Sequence, residues 1–505
     1  MNKRTILLLL AFLLCCIPAF YGLFHAGFFV SDDGHWMIIR LSAFYEALAS
    51  GQFPVRFLPR INQGIGYPVA DFLYPLFLYV GSFIHIFKIP FSVDTKLLFA
   101  GSIALSGMGM FLFLRRQMSI FSSFLGGLLF IYLPYHMYDV YVRGSLGEVV
   151  ALALAPFIFW AIEKKSWLLA ACFIGLLILS HNTLALFFLP VGIAYACYKR
   201  MPLKHIALLL IVGLGLSAFF WAPALYDKQF TVFDSIAVSN PFGYFVNSVS
   251  WQLIGWIGLA IFGGTIFLLF TTKNKDVFFF FAVGMLSVFF SLSISGIFWH
   301  SRLLAEFIQF PFRFLSLTIV AESFLGAFLV EKFQKNYVVI GLFILFIGIS
   351  TAPYMLPKHY EYFPESYYAT NVDSTTVKNE YMPVWVKQTP VSYAFQRVAV
   401  DKNRGTIVDM QEKGTWLSFF AVMKKTENIT ISFAYFPGWY ATIDGKNAAI
   451  APVPKTGLIQ LLVPAGKHAV RLWFGETPIE ILADSTSVFF ILFVVYNFLK
   501  KRYEK

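Results

Sequence analysis

The chain is 505 residues long, 58% hydrophobic and only 13% charged, with a mean hydropathy of +0.70. Soluble domains carry about 45–50% apolar and about 25% charged residues, so this composition excludes an ordinary soluble enzyme and excludes disorder. The net charge of +12, from 39 Lys and Arg against 27 Asp and Glu, is what the cytoplasmic anchors of a polytopic α-helical membrane protein supply; it is no argument for nucleic acid as a partner.

In chain order, Lys3 and Arg4 precede an apolar run over 5–24. The run exceeds the roughly 7–15 residues of a signal-peptide core and lacks a clean small-x-small cleavage site, which predicts an uncleaved first span. Further apolar runs follow at 72–88, 97–114, 119–136, 149–162, 167–181, 183–198, 203–222, 251–271, 276–298, 313–330, 337–353 and 479–499, each near the roughly 20 residues that cross a bilayer. If all thirteen crossed, Arg115/Arg116 and every later basic cluster (Lys164/Lys165, Lys199/Arg200, Lys273/Lys275, Lys332/Lys335, Lys500/Lys501) would face outward, against the preference of Lys and Arg for cytoplasmic loops. Treating 72–88 as non-crossing repairs all of them together. That run is short, contains Pro75 and His85, and ends at Lys88. The expectation is therefore about twelve spans with both termini cytoplasmic, a transmembrane domain over 1–353, and a long first exoplasmic loop over 25–96. Cys15, Cys16, Cys172 and Cys197 lie in apolar runs and read as structural thiols.

Residues 354–478 are polar, and their later half alternates as strands do, for example Asn428-Ile-Thr-Ile-Ser-Phe-Ala-Tyr. Asp444-Gly445 is a strong hairpin signal, and Pro464-Ala-Gly466 marks another turn. A C-terminal exoplasmic β-sandwich is predicted, followed by a last span and cytoplasmic tail over 479–505.

The chemistry-bearing residues gather in the expected exoplasmic loops. Ser31-Asp32-Asp33-Gly34-His35-Trp36 stands just past the first span. Adjacent carboxylates beside apolar surface suit general-base work or a divalent cation, because burial and a like-charged neighbour each raise a carboxyl pKa. The same residues suit the start of a helix over 36–49, where Ser and Asp cap and acids meet the positive end. Gly64 and Gly66, in a loop punctuated by Pro68 and Pro75, suit a turn or a close backbone approach. Arg143 lies between Asp139 and Glu148, His181-Asn182 interrupts two apolar runs, and Arg302 and Arg313 offer guanidinium forks fit for phosphate or for lipid head groups. No P-loop, Gly-x-Ser-x-Gly elbow or His-Glu-x-x-His motif occurs.

An acidic pair after the first span, a long exoplasmic loop with helices, a second acidic loop and a terminal β domain together resemble the GT-C superfamily of integral membrane glycosyltransferases. Asp33-Gly-His35, Gly64-Ile-Gly66-Tyr-Pro68, Tyr74-Pro75, Arg143 with Glu148, Ser180-His-Asn182, Gln309-Phe-Pro-Phe-Arg313 and Tyr435-Phe-Pro-Gly-Trp-Tyr with Asp444-Gly-Lys look like the bacterial membrane family labelled 6-pyruvoyl-tetrahydropterin-synthase-related. The terminal domain is similar to that of YfhO-type membrane proteins. Pterin chemistry itself is not implied: it needs a compact soluble fold with a His-ligated zinc, and the nine His here are scattered. The resemblance implies inverting transfer of a sugar from a polyprenyl-phosphate donor to a cell-envelope glycan or lipid acceptor, at the outer face of a bacterial plasma membrane. Asp33 or Asp32 would take the acceptor proton. Arg143, Arg302 or Arg313 would hold the donor phosphate, with His35, Glu148 and His181 in the substrate site; a divalent cation is left open. The rival class is a lipid or glycan transporter or an envelope assembly protein. Against transport, charge within the runs is sparse, Glu322 being the main exception.

Overall fold

Each of the thirteen apolar runs folds as helix in the computed structural model, which describes residues 3–236, 240–388 and 396–503. Among the described residues, six helices are long and apolar enough to cross a membrane, including Ile6–Leu23, Phe91–Leu114, Leu146–Glu163 and Pro311–Phe333, and three bent helix pairs raise this to nine. Four apolar helices are shorter: Leu76–His85, Trp167–Ser180, Asn182–Tyr198 and Gly255–Leu269. The protein is a multi-pass helical membrane protein with a C-terminal β region. Leu76–His85, the helical part of the run over 72–88, has ten residues. At 1.5 Å per residue it spans about 15 Å, half of a hydrocarbon core of about 30 Å.

The chain divides into two compact units, one of Met1–Met37, Ser92–Ser217 and Val238–Phe363, the other of Ile38–Phe91, Ala218–Ala237 and Pro364–Lys505. In the first unit, helix ends sort into two groups. The basic loops meet one another: Lys199 pairs with Glu163 at 2.8 Å and Asp276 at 2.6 Å, Gln117 donates to Glu163, and the Ser119 hydroxyl donates to Glu331. The acidic loops meet at the other ends. There, strand β1 (Phe28–Phe29) pairs antiparallel with β2 (Tyr360–Glu361), and the Thr183 hydroxyl donates to the Phe307 carbonyl. Small residues bring the helices together between these ends. A Cβ on Gly126 would lie 2.7 Å from that of Ala327, so glycine there lets helix Ile120–Tyr132 lie against Leu315–Phe333.

In the second unit, nine strands form a sandwich: β3 (Val398–Ala399), β4 (Gly405–Lys413), β5 (Trp416–Met423), β6 (Glu427–Ala434), β7 (Trp439–Ile443), β8 (Lys446–Ala448), β9 (Ile450–Pro452), β10 (Leu458–Val463) and β11 (Gly466–Phe474). They make a four-stranded sheet in the order β3-β6-β10-β9 and a five-stranded sheet in the order β4-β5-β11-β7-β8. The inward residues alternate along each strand: Leu417, Phe419, Ala421 and Met423 of β5 are buried and their neighbours are not. Phe433 of β6 and Trp439 of β7 stack across the two sheets with ring centres 4.6 Å apart. Asp444 and Gly445 form the β7–β8 hairpin, both at positive φ (51° and 77°), as a two-residue turn of this hand requires. The turn at Pro464-Ala-Gly466 joins β10 to β11 and so carries the chain from one sheet to the other.

Candidate functional site

The acidic pair sits in the first unit at the head of helix Gly34–Ala49. The Ser31 hydroxyl accepts the Gly34 N–H at 3.2 Å, and the Asp33 carbonyl accepts the Met37 N–H at 3.0 Å, so the sequence caps this helix as its Ser-Asp-Asp start implies. The pair does more than cap. The Asp32 N–H donates to the Val142 carbonyl at 3.0 Å and the Asp33 N–H to the Arg143 carbonyl at 2.8 Å, which staples the two acids to the loop that precedes helix Leu146–Glu163. Gly144 makes the staple possible. It adopts the left-handed conformation (φ +63°), and a Cβ there would lie 2.8 Å from the Gly34 nitrogen.

Behind that loop lies a buried ionic network. Glu148, in the first turn of Leu146–Glu163, offers one oxygen to Arg143 Nη1 at 2.7 Å and the other to Arg313 Nε at 2.8 Å. Arg143 Nη1 also holds Asp139 at 2.6 Å. His181 Nδ1 accepts the Leu184 N–H at 3.3 Å, which leaves the ring proton on Nε2, the atom that faces Glu148 at 3.5 Å. Arg143 and Arg313 are 4% and 8% exposed, and both lie against aromatic rings, Arg143 over Phe312 and Arg313 over Phe310. Two guanidinium groups thus face two carboxylates, and the charges balance inside the protein.

Asp32 opens to solvent and Asp33 is half-buried. The Asp32 carboxyl is raised above the ordinary carboxylate range, chiefly by partial burial and then by the Asp33 charge, with Arg143 opposing. His35 Nε2 faces Glu361 at 3.0 Å; burial holds its pKa down and Glu361 works against that. Tyr138, close enough to Asp32 to feel its charge, is edge-on to Phe312 and to Tyr354. The fold therefore brings Asp32, Asp33, His35, Arg143, Glu148, His181 and Arg313 into one region. Arg302 begins the helix Arg302–Phe307, and its side chain lies outside the described residues.

Sequence reasoning missed a second ionic cluster, built within the other unit. Arg56 pairs with Asp71 at 3.0 Å, Glu480 at 3.2 Å and Asp484 at 2.8 Å. Asp227 reaches the same place, so that carboxylate oxygens of Asp71, Asp227 and Glu480 all lie within 4.8 Å of one another. The available signal was the spacing Glu480-x-x-x-Asp484 at the head of an apolar run, which puts two acids on one face of a helix.

No protein-family model matches the chain. A curated relative from Lactococcus lactis subsp. cremoris (strain MG1363), described as an uncharacterized protein, is 26% identical over 281 residues, 51% of this chain and 44% of that protein. Among solved structures, the arabinofuranosyltransferase AftD from Mycobacteria aligns with a TM-score of 0.48 at 13% identity, covering 71% of this chain and 27% of that one. The oligosaccharyltransferase AglB from Archaeoglobus fulgidus, in complex with an inhibitory peptide and a dolichol-phosphate, aligns with a TM-score of 0.42 at 13% identity, covering 74% and 56%. The chain spans less than half of its curated relative and between about a quarter and just over half of these structures.

Proposed function

We propose that the protein is a membrane glycosyltransferase of GT-C type that moves a sugar from a polyprenyl-phosphate donor to a glycan or lipid acceptor at the outer face of a bacterial plasma membrane, with both termini cytoplasmic. The observation that carries the proposal is the staple of Asp32 and Asp33 to the Val142-Arg143 backbone. It supports the reading by tying both carboxyl-bearing residues to one loop, Asp32 with its carboxyl raised by partial burial and by Asp33, as a general base requires. In the reaction, Asp32 or Asp33 takes the proton of an acceptor hydroxyl. The acceptor oxygen bonds to the anomeric carbon opposite the phosphate, and the bond from that carbon to the phosphate oxygen breaks, its electrons leaving with the polyprenyl phosphate.

Arg143, Arg313, Glu148 and His181 act in this proposal as positioning residues, since their charges are satisfied by one another and Arg143 belongs to the backbone that fixes the acids. His35 orients the head of the same helix. Of the arginines that the resemblance offers for the donor phosphate, we assign Arg302. The test is incubation of the purified protein with radiolabelled polyprenyl-phosphate sugars and an acceptor extract. The wild type transfers label; Asp32→Asn or Asp33→Asn keeps the fold and loses about 10²–10⁴-fold in rate. If both single variants and the double variant transfer at the wild-type rate, the assignment fails, and a transport or assembly role takes its place.

A further inference from the structure

The second cluster contains an unsatisfied excess of negative charge. Among the described residues, Arg56 is the only cation paired with Asp71, Glu480 and Asp484, and one oxygen of Asp71 is buried with no hydrogen-bond partner. A fourth carboxylate, Asp227, is aimed into the same space from the end of helix Ala218–Asp227. It is 1% exposed, and among the described residues neither of its oxygens has a hydrogen-bond partner. Burying an unpaired carboxylate is costly enough that it either holds a proton or meets a cation.

We propose that Asp71, Asp227 and Glu480 form a binding site for a hard divalent cation of Ca²⁺ size, separate from the acidic pair at Asp32 and Asp33. The donors are all carboxylate oxygens, the set that selects a hard cation over zinc or copper. Those oxygens all lie within 4.8 Å of one another, close enough to share one Ca²⁺ at bonds of about 2.3–2.6 Å, and an all-carboxylate protein cage suits Ca²⁺ better than Mg²⁺, which keeps several of its waters. Three chain segments supply them: the short helix Val69–Phe72 of the first loop, the end of Ala218–Asp227, and the head of helix Pro478–Tyr503. A cation would clasp these within their unit, and Arg56, bound to one oxygen of Asp71 and one of Glu480, holds the site in shape.

The experiment uses the full chain in detergent at pH 7.5, stripped with EDTA and titrated with Ca²⁺ alone and Mg²⁺ alone. Calcium binding is read by equilibrium dialysis with radioactive Ca²⁺, and the melting temperature is followed in parallel. The expected result is one Ca²⁺ per chain, a melting temperature that rises with Ca²⁺, and a weaker response to Mg²⁺. Asp227→Asn weakens Ca²⁺ binding at least tenfold while the melting temperature in EDTA stays level or rises, because no hydrogen bond is lost. Asp71→Asn provides a second variant should the first fail to fold, and Asp32→Asn keeps the stoichiometry of one. The proposal is overturned if the wild type binds no Ca²⁺ below about 10 mM, beyond the weakest extracellular sites. It is also overturned if the Asp227 and Asp71 variants bind as the wild type does, or if Asp32→Asn abolishes binding. The last outcome would move the cation to the acidic pair and leave the glycosyltransferase reading standing.

Discussion

The two buried ionic clusters are built from the same side chains and obey opposite arithmetic. Around Glu148, two guanidinium groups meet two carboxylates, and each charge has its partner in the fold. Around Arg56, one guanidinium meets Asp71, Glu480 and Asp484, and Asp227 joins without a partner among the described residues. The first cluster balances its charge within the chain and can serve as scaffold; the second balances only with charge from outside. Removing a carboxylate should therefore harm one and relieve the other.

The largest expected effect comes from Glu148→Gln. It leaves Arg143 and Arg313 buried with half their partners and should cost about 3–5 kcal/mol, read as a lower melting temperature in detergent. Gly144→Ala comes next. The left-handed backbone costs a side-chain-bearing residue about 1–2 kcal/mol, and the new methyl presses on Gly34. Transfer activity should fall more than stability does, because the staple under the acidic pair shifts; equal losses would mean the loop only supports the fold.

Asp227→Asn should raise the melting temperature in EDTA by an amount worth about 1 kcal/mol, a change opposite in sign to that of Glu148→Gln. A clear loss in EDTA would erase the contrast between the clusters. pH provides the same test without mutation. The Asp71 carboxyl, facing Arg56, Glu480 and Asp227, titrates near 7 in the folded chain and near 3.9 unfolded. Its contribution is thus fully present below about pH 4 and is lost as pH rises through about 7. Saturating Ca²⁺ should abolish that decline.

The smallest effect is expected in the sandwich, at the hairpin. His468 Nδ1 meets Asp444 Oδ2 at 2.6 Å on the surface. The imidazole is raised by its hydrogen bonds to Asp444 and to the Ala465 carbonyl; the carboxyl is lowered by His468 and then by the Ala469 N–H. The His contribution is present below about pH 6.5 and lost as pH rises through its raised value; the Asp contribution is present above about pH 3.9 and lost as pH falls through its lowered one. His468→Asn should flatten this shallow optimum and change little else, as solvent-exposed pairs do.

Much of the fold is legible in the sequence, because hydropathy acts locally. Every apolar run became helix, and Asp444-Gly445 turned the hairpin its residues demand. The acidic pair and the Arg143 loop were also visible, each as a short motif. What joins them was not: the staple depends on Gly144 taking a left-handed turn, and Glu148 meets Arg313 from 165 positions away. The Arg56 cluster escaped notice for the same reason. Arg56 and Asp484 are 428 positions apart, and each acid alone looks like an ordinary charge at the end of a span. Excess charge is a property of the assembled site and of no single segment.

The two-residue pairing of β1 with β2 has a consequence for counting. Strands that share hydrogen bonds lie on the same side of a membrane, so the chain between Phe29 and Tyr360 crosses an even number of times. Among the described residues, eleven apolar helical runs, bent pairs counted once, lie in that interval. Eleven is odd, so at least one of them turns back without crossing, and Leu76–His85 is the shortest of them. Parity, set by a ladder only two residues long, thus constrains the sidedness of every loop between.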